Sequence, residues 1–313
     1  MSAPIEFENV WRWFGSQVVL RGLSFRVEPG QVYALLGRNG AGKTTALRIL
    51  LGFLAPLRGR ARVLGVESEH LGPEQRAKIG YVGEDHRLYS TMRVRDVVAF
   101  EAGTRPGFRR DLVATALARC GLLEKQRVRQ LSRGQRAQLC LVLAVATTPE
   151  LLICDDPSLG LDVVMRRELL DALIDLLAET GCSVLLSSHF LQDVERIADR
   201  VGVLHEGRLV VDATLEDLKR RVRRATWMPR EGAAPPREAQ ILRAARRRVG
   251  FELSLLDADE PLLERLRATG ELAPLAPCSL EELVLDLTGP EEPGLLRQPL
   301  SSLAERDVVE VRA

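Results

Sequence analysis

Gly37-Arg38-Asn39-Gly40-Ala41-Gly42-Lys43-Thr44-Thr45 sets the architecture of the chain, because these residue types in this order are suited to hold a nucleotide triphosphate. Two glycines separated by four residues, then Lys and Thr, fit the phosphate-loop pattern. Glycines let successive backbone N–H groups turn toward phosphate oxygens, and a following helix adds its dipole. Val32–Leu36, just before the loop, reads as a buried strand, and Ala46–Leu51, just after it, reads as a helix. That strand–loop–helix context is what the pattern requires. Lys43 is expected to reach the outer phosphates of the nucleotide and Thr44 to hold Mg²⁺. By composition, such a pattern arises by accident in about one chain of this kind in five hundred. The only lysines are Lys43, Lys78, Lys125 and Lys219, which makes a chance loop a weak alternative.

Working outward, residues 5–36 alternate in strand fashion, with turns at Gly15-Ser16 and Glu28-Pro29-Gly30. Further strands are expected at 61–66, 79–82 and 183–187. Helices are expected over 111–120, 137–146, 163–179 and 192–200, and a hairpin turning at His205-Glu206-Gly207. Strands alternating with helices predict an α/β fold with a parallel sheet covered on both faces. A boundary is placed near Lys219, where the basic run Lys219–Arg224 precedes a loop at Gly232–Pro236. Residues 239–288 read as a small α+β unit, and 289–313, rich in Pro and Glu, as a tail expected to be partly disordered.

The chain has 313 residues, 46% hydrophobic and 28% charged, as in an ordinary soluble globular protein. A net charge of +1 argues against a general attraction to nucleic acid or acidic lipid. No apolar run approaches the roughly 18 residues of a membrane span, and the first residues carry no signal-like segment. The five cysteines have no paired spacing and read as buried cytosolic thiols. His70, His86 and His205 read as surface or turn residues.

Leu151–Cys154 followed by Asp155-Asp156 is an apolar strand ending in carboxylates, with Asp155 placed to hold Mg²⁺. Between it and the phosphate loop stands Leu131-Ser132-Arg133-Gly134-Gln135, and after it come Leu159-Gly160-Leu161-Asp162 and Ser187-Ser188-His189. Here the chain resembles the ATP-binding cassette (ABC) ATPases over roughly residues 5–218. Five matches stand in order: phosphate loop, signature, acidic strand end, D-loop and switch histidine.

The resemblance implies a phosphate-loop NTPase cassette over 1–218: a parallel sheet core, an antiparallel β subdomain and a helical signature subdomain at about 85–146. A small C-terminal α+β domain follows at 219–288. It also implies a head-to-tail dimer of cassettes, a homodimer in preference to a heterodimer, closing on two ATP molecules. By resemblance, Gly37, Asn39, Gly40, Ala41, Gly42, Lys43, Thr44 and Thr45 cradle the phosphates. Ser132, Gly134 and Gln135 meet the γ-phosphate held by the opposite subunit, with Asp162 in the D-loop. Thr44, Glu84 and Asp155 hold Mg²⁺, Asp156 is the general base, and His189 senses the γ-phosphate. Phe14 falls where the family stacks an aromatic on adenine; Trp13 competes for that role, and a core strand position is the alternative.

Three departures matter. Asp156 stands where the family usually has Glu, Glu84 where it usually has Gln, and Arg133 replaces the first signature glycine. Glu84, with Leu88-Tyr89 after it, and the Leu/Glu run Ser279–Gly289 resemble the branch that serves ABC-2-type exporters. The implied function is a cytoplasmic ATPase subunit, peripheral at the membrane face and powering a separate permease. The alternative is a weakly hydrolysing nucleotide switch, the degenerate half of a heterodimeric cassette pair. A role on nucleic acid rests only on the basic runs 219–224 and 243–248 and is set aside in favour of a solvated face.

Overall fold

The computed structural model describes residues 2–230, 233–234, 238, 240–288 and 296–297. The chain divides into two compact units, one of residues 1–198 and 206–208, the other of 199–205 and 209–313.

The first unit opens with an antiparallel sheet made from β1 (Ile5–Phe14), β2 (Gln17–Val27), β4 (Arg58–Val63) and β5 (Val66–Glu67). Alternation dictates its inner face: Ile5, Phe7 and Val10 are buried on β1, and Phe7 stacks on Phe25 of β2 with centroids 4.8 Å apart. A second layer is parallel. β3 (Val32–Leu36), β8 (Ser183–Ser187), β7 (Leu151–Asp155) and β6 (Ile79–Val82) lie side by side in that order. β3, β7 and β8 are buried at every position, as continuous apolar runs must be when helices cover both faces. The helices of this unit are α1 (Lys43–Leu50), α2 (Pro73–Ala77), α3 (Val94–Thr104), α4 (Arg110–Arg119), α5 (Arg133–Val145), α6 (Val163–Thr180) and α7 (Leu191–Ile197). α3, α4 and α5 share a separate apolar core built on Val97, Val113, Leu117, Leu139 and Val142, which makes them a helical subdomain.

The second unit begins with β9 (Arg200–His205) and β10 (Arg208–Thr214), the expected hairpin, and continues through α8 (Leu215–Arg221) directly into β11 (Val222–Pro229). β11, β12 (Ile241–Arg246), β13 (Phe251–Leu256), β14 (Gly270–Leu272), β15 (Ala276–Pro277) and β16 (Leu296–Arg297) form one sheet, accompanied by α9 (Glu260–Thr269) and α10 (Leu280–Thr288). Trp227 is fully buried between sheet and α9 and its indole N–H donates to the Leu266 carbonyl at 2.8 Å. The small α+β character expected here is present. The expected disordered tail lies outside the described residues except for Leu296–Arg297, which pair with Arg243 and Ala244.

Two readings change. The run 219–224 is not simply a solvated face: Arg220, Arg221 and Arg224 meet carboxylates, although Lys219 and Arg220 stay exposed. Arg220 pairs with Asp217 at 2.5 Å and Arg221 with Asp257 at 3.0 Å; Arg224 reaches Glu252 at 3.0 Å and also Glu282. Arg243, from the second run, bonds Asp286 at 2.5 Å, and Asp286 is buried. Burial alone would lower the Arg224 pKa, but Asp286, Glu252 and Glu282 together raise it. The second change is His86, which keeps only the turn half of its surface-or-turn reading: it is 2% exposed, and its N–H bonds the Gly83 carbonyl. Among the cysteines, Cys154, Cys182 and Cys278 are buried, and burial pushes the Cys140 thiol up to about 12.

Candidate nucleotide site

The parallel strands deliver the candidate residues to one edge. β3 ends at Leu36 and the phosphate loop follows; β6 ends at Val82, two residues before Glu84; β7 ends at Asp155; β8 ends at Ser187, two residues before His189. Ligands of open α/β sheets bind at these carboxyl ends.

The loop takes the conformation its glycines permit. Gly37, Gly40 and Gly42 have φ of 150°, 83° and 113°, a region that side chains rarely enter. Gly42 caps α1 without any side-chain bond, so the first N–H groups of the helix are left for another acceptor. Lys43 folds back and donates from Nζ to the Gly37 carbonyl at 2.6 Å. Burial pushes the Lys43 ammonium below its ordinary value, against Asp156, Asp155 and Glu84, which pull it up.

Asp155 and Asp156 are held by one hydroxyl. Ser187 Oγ donates to Asp155 Oδ1 at 2.7 Å and accepts from the Asp156 N–H at 3.0 Å. Ser187 is fully buried opposite Asp155 in the parallel register, and the sequence reading gave it no role. Asp156 has a left-handed backbone, φ 47°, and its Oδ1 lies 2.7 Å from His189 Nδ1 and 3.3 Å from the His189 N–H. A carboxylate only accepts, so Nδ1 carries the proton and Nε2 is the nitrogen left for a ligand. The His189 ring lies against Phe190, centroids 4.1 Å apart, and the Arg166 guanidinium covers the same Phe190.

A cavity of about 440 Å³ gathers Asn39, Gly40, Gly42, Lys43, Thr44, Thr45, Glu84, Asp156 and His189. A second, equally large, is lined by Thr44, Glu84 and Asp155 together with Tyr81, Arg48, Glu101 and Arg105. Thr44 and Glu84 therefore face both cavities. Among the described residues no group of three or more His, Cys, Asp or Glu is placed to hold a metal by itself. Mg²⁺ takes one or two carboxylates and completes its shell with phosphate and water oxygens. Thr44, Glu84 and Asp155 offer only oxygen, so the donor set fits in chemistry and in placement.

The remaining candidates lie elsewhere. Gly37 and Ala41 belong to the loop but do not line the cavity. Phe14 is 45% exposed beneath the Arg12 guanidinium, 4.8 Å from its ring centroid, so it is not a core residue, and it too is absent from the cavity wall. Ser132 caps α5 in a reciprocal box with Gln135, N–H to Oγ at 3.1 Å and N–H to Oε1 at 3.0 Å. Gly134 is buried against Met165: a Cβ there would come within 2.5 Å of its side chain. Asp162 caps α6, accepting from the Met165 N–H at 2.9 Å. The signature residues and Asp162 thus stand outside this chain's own phosphate cavity.

The profile of a family described as ABC transporter matches residues 20–159. The chain is 34% identical over 299 residues to Nod factor export ATP-binding protein I of Burkholderia orbicola, covering 92% of this chain and 98% of that protein. It is 36% identical over 228 residues to the bacitracin transport ATP-binding protein BcrA of Enterococcus faecalis, covering 72% and 74%. A solved ATP-binding subunit of an ABC transporter superposes with a TM-score of 0.63 at 28% identity, over 70% of this chain and 92% of that one. Motif order, fold and relatives agree, and the chain belongs to the ATP-binding cassette family of ABC transporter ATP-binding proteins.

Proposed function

We propose that this protein is the Mg-ATP-hydrolysing subunit of an ABC-2-type exporter, working as a head-to-tail pair of cassettes, with a homodimer preferred. Residues 1–218 form the cassette and 219–288 an accessory domain. The reading is carried by one observation, the single cavity that joins the phosphate loop to Glu84, Asp156 and His189. A relative named for Nod factor export supports the direction of transport, and one named for bacitracin transport supports a transport role. Among the described residues no helix is long and apolar enough to cross a membrane; in this reading a separate permease carries the substrate, and the cassette sits at its cytoplasmic face.

In this reading the loop N–H groups and Lys43 bind the β- and γ-phosphates of ATP, and Lys43 exchanges the Gly37 carbonyl for phosphate oxygen. Thr44, Asp155 and Glu84 would hold Mg²⁺, which would supply charge neutralisation on the phosphates. Asp156 orients and deprotonates the attacking water. His189, anchored through Nδ1 by Asp156, offers Nε2 to the γ-phosphate; a phosphate oxygen accepts, so the contact requires a proton there. Ser132, Gly134 and Gln135 complete the partner's site rather than their own. Phe14 or Trp13 packs on adenine.

A second reading, a weakly hydrolysing half of a heterodimer, is favoured by one feature. The Asp156 carboxylate is short and already bonded to two groups of His189. Mg-dependent ATP hydrolysis by the purified chain tests the main proposal. Turnover should be lost in Lys43→Ala, and unchanged turnover in that variant would remove this site from the reaction.

A further inference from the structure

We propose that His86 is a positioning residue that locks the loop carrying Glu84 to the loop carrying Asp156; the inference rests on the ATPase reading above. His86 is almost wholly buried, yet its backbone is left-handed, φ 46°, where a residue with a side chain is seldom found. Something must hold it there. Its N–H donates to the Gly83 carbonyl at 3.2 Å, closing the turn on which Glu84 sits. Its ring reaches across to the next loop, with Nε2 2.8 Å from the carbonyl of Pro157. A carbonyl only accepts, so Nε2 carries the proton. Nδ1 is then the bare acceptor, and it has no partner among the described residues.

Pro157 follows Asp156, which is itself left-handed and fixed from its other side by Ser187 and His189. The Asp156–Pro157 segment is therefore gripped from two directions. His86 thereby ties the turn of Glu84 to the loop of Asp156. The grip matters more in this chain because Asp is one methylene shorter than Glu. Its reach to the attacking water must come from main-chain position, and an error of about 1 Å there costs on the order of a hundredfold in rate.

The test compares three substitutions chosen by reach. Gln places an amide N–H about where Nε2 stands, Asn tolerates the left-handed backbone better but stops short, and Phe keeps the ring without the donor. If His86 only fills a turn, His86→Asn should be the best tolerated. If it holds Pro157, His86→Gln should keep kcat within about threefold of the native chain. His86→Asn and His86→Phe should then lose about ten- to a hundredfold in kcat, with KM for ATP little changed. In an Asp156→Asn background the His86→Asn loss should vanish, since the two act through one group. Amide exchange over residues 155–160, which requires no turnover, should rise in the Asn and Phe variants and not in Gln. Normal kcat and exchange in His86→Asn would overturn the proposal while leaving the ATPase reading intact. A native chain that binds ATP without hydrolysing it would instead overturn that reading, and exchange alone would then decide the role of His86.

Discussion

Replacing Asp156 by Glu restores the carboxylate that the family usually carries, yet the structure argues that it slows this enzyme. Asp156 Oδ1 accepts both the ring N–H of His189 at 2.7 Å and its backbone N–H at 3.3 Å. The backbone that aims it is already fixed, with N–H bonds to the Ser187 hydroxyl and carbonyl. An added methylene moves the carboxylate by about 1 Å or more, beyond what either bond tolerates. Losing the charge-assisted bond to the ring costs about 1.5–3 kcal/mol, or roughly ten- to a hundredfold if all of it is expressed in the transition state. Steady-state ATP turnover of the native chain and Asp156→Glu, with ATP affinity measured alongside, should show kcat falling by that factor at nearly constant affinity. A rise of tenfold or more would refute the reasoning. It would mean that Asp156 cripples the native site and that the chain is a degenerate half.

Two further outcomes concern stability. The folded pKa of Lys43 lies below the ordinary 10.5, so over the window between them the unfolded chain holds the proton more tightly. Nucleotide-free protein should therefore gain stability as pH rises through that window, and Lys43→Met should flatten the slope in thermal melts followed toward pH 10.5. Asp286→Ala strips the buried partner from Arg243 and from the Ser254 hydroxyl, leaving a guanidinium that is only 15% exposed without its main carboxylate. Breaking such a pair costs about 3–5 kcal/mol, measurable by denaturant titration, and a loss below about 1 kcal/mol would show that water replaces the carboxylate.

What could be read from sequence divides along physical lines. β8 occupies the span expected of it, 183–187, because a fully buried strand announces itself as an apolar run, and β6 matches 79–82 although Tyr81 on it is exposed. The phosphate loop was legible because positive φ at Gly40 and Gly42 leaves little choice of residue. β11 was not. Val222-Arg223-Arg224-Ala225 reads as a basic segment until Glu252, Glu282 and Asp286, far along the chain, arrive to neutralise Arg224. Ser187 and His86 escaped for the same reason. Each is an unremarkable residue in its own neighbourhood, and its meaning lies in a bond to a residue about 32 or 71 positions away.

The two left-handed residues of the site, Asp156 and His86, bear on how the cavity is kept in shape. A non-glycine residue in that conformation costs on the order of 1 kcal/mol or more, and it persists only where surrounding bonds over-determine it. Asp156 is over-determined by Ser187 and His189, and His86 by Gly83 and Pro157. One hydrogen bond, from the His86 ring to the carbonyl that follows Asp156, joins the two strained turns. Removing it leaves the Pro157 side of the Asp156 turn without its partner from His86, and any shift there moves a carboxylate that lines the phosphate-loop cavity. The strain is thus held by the same contacts that set the geometry, so the position of the Asp156 carboxylate depends on His86, a residue that touches no nucleotide atom in the proposed mechanism.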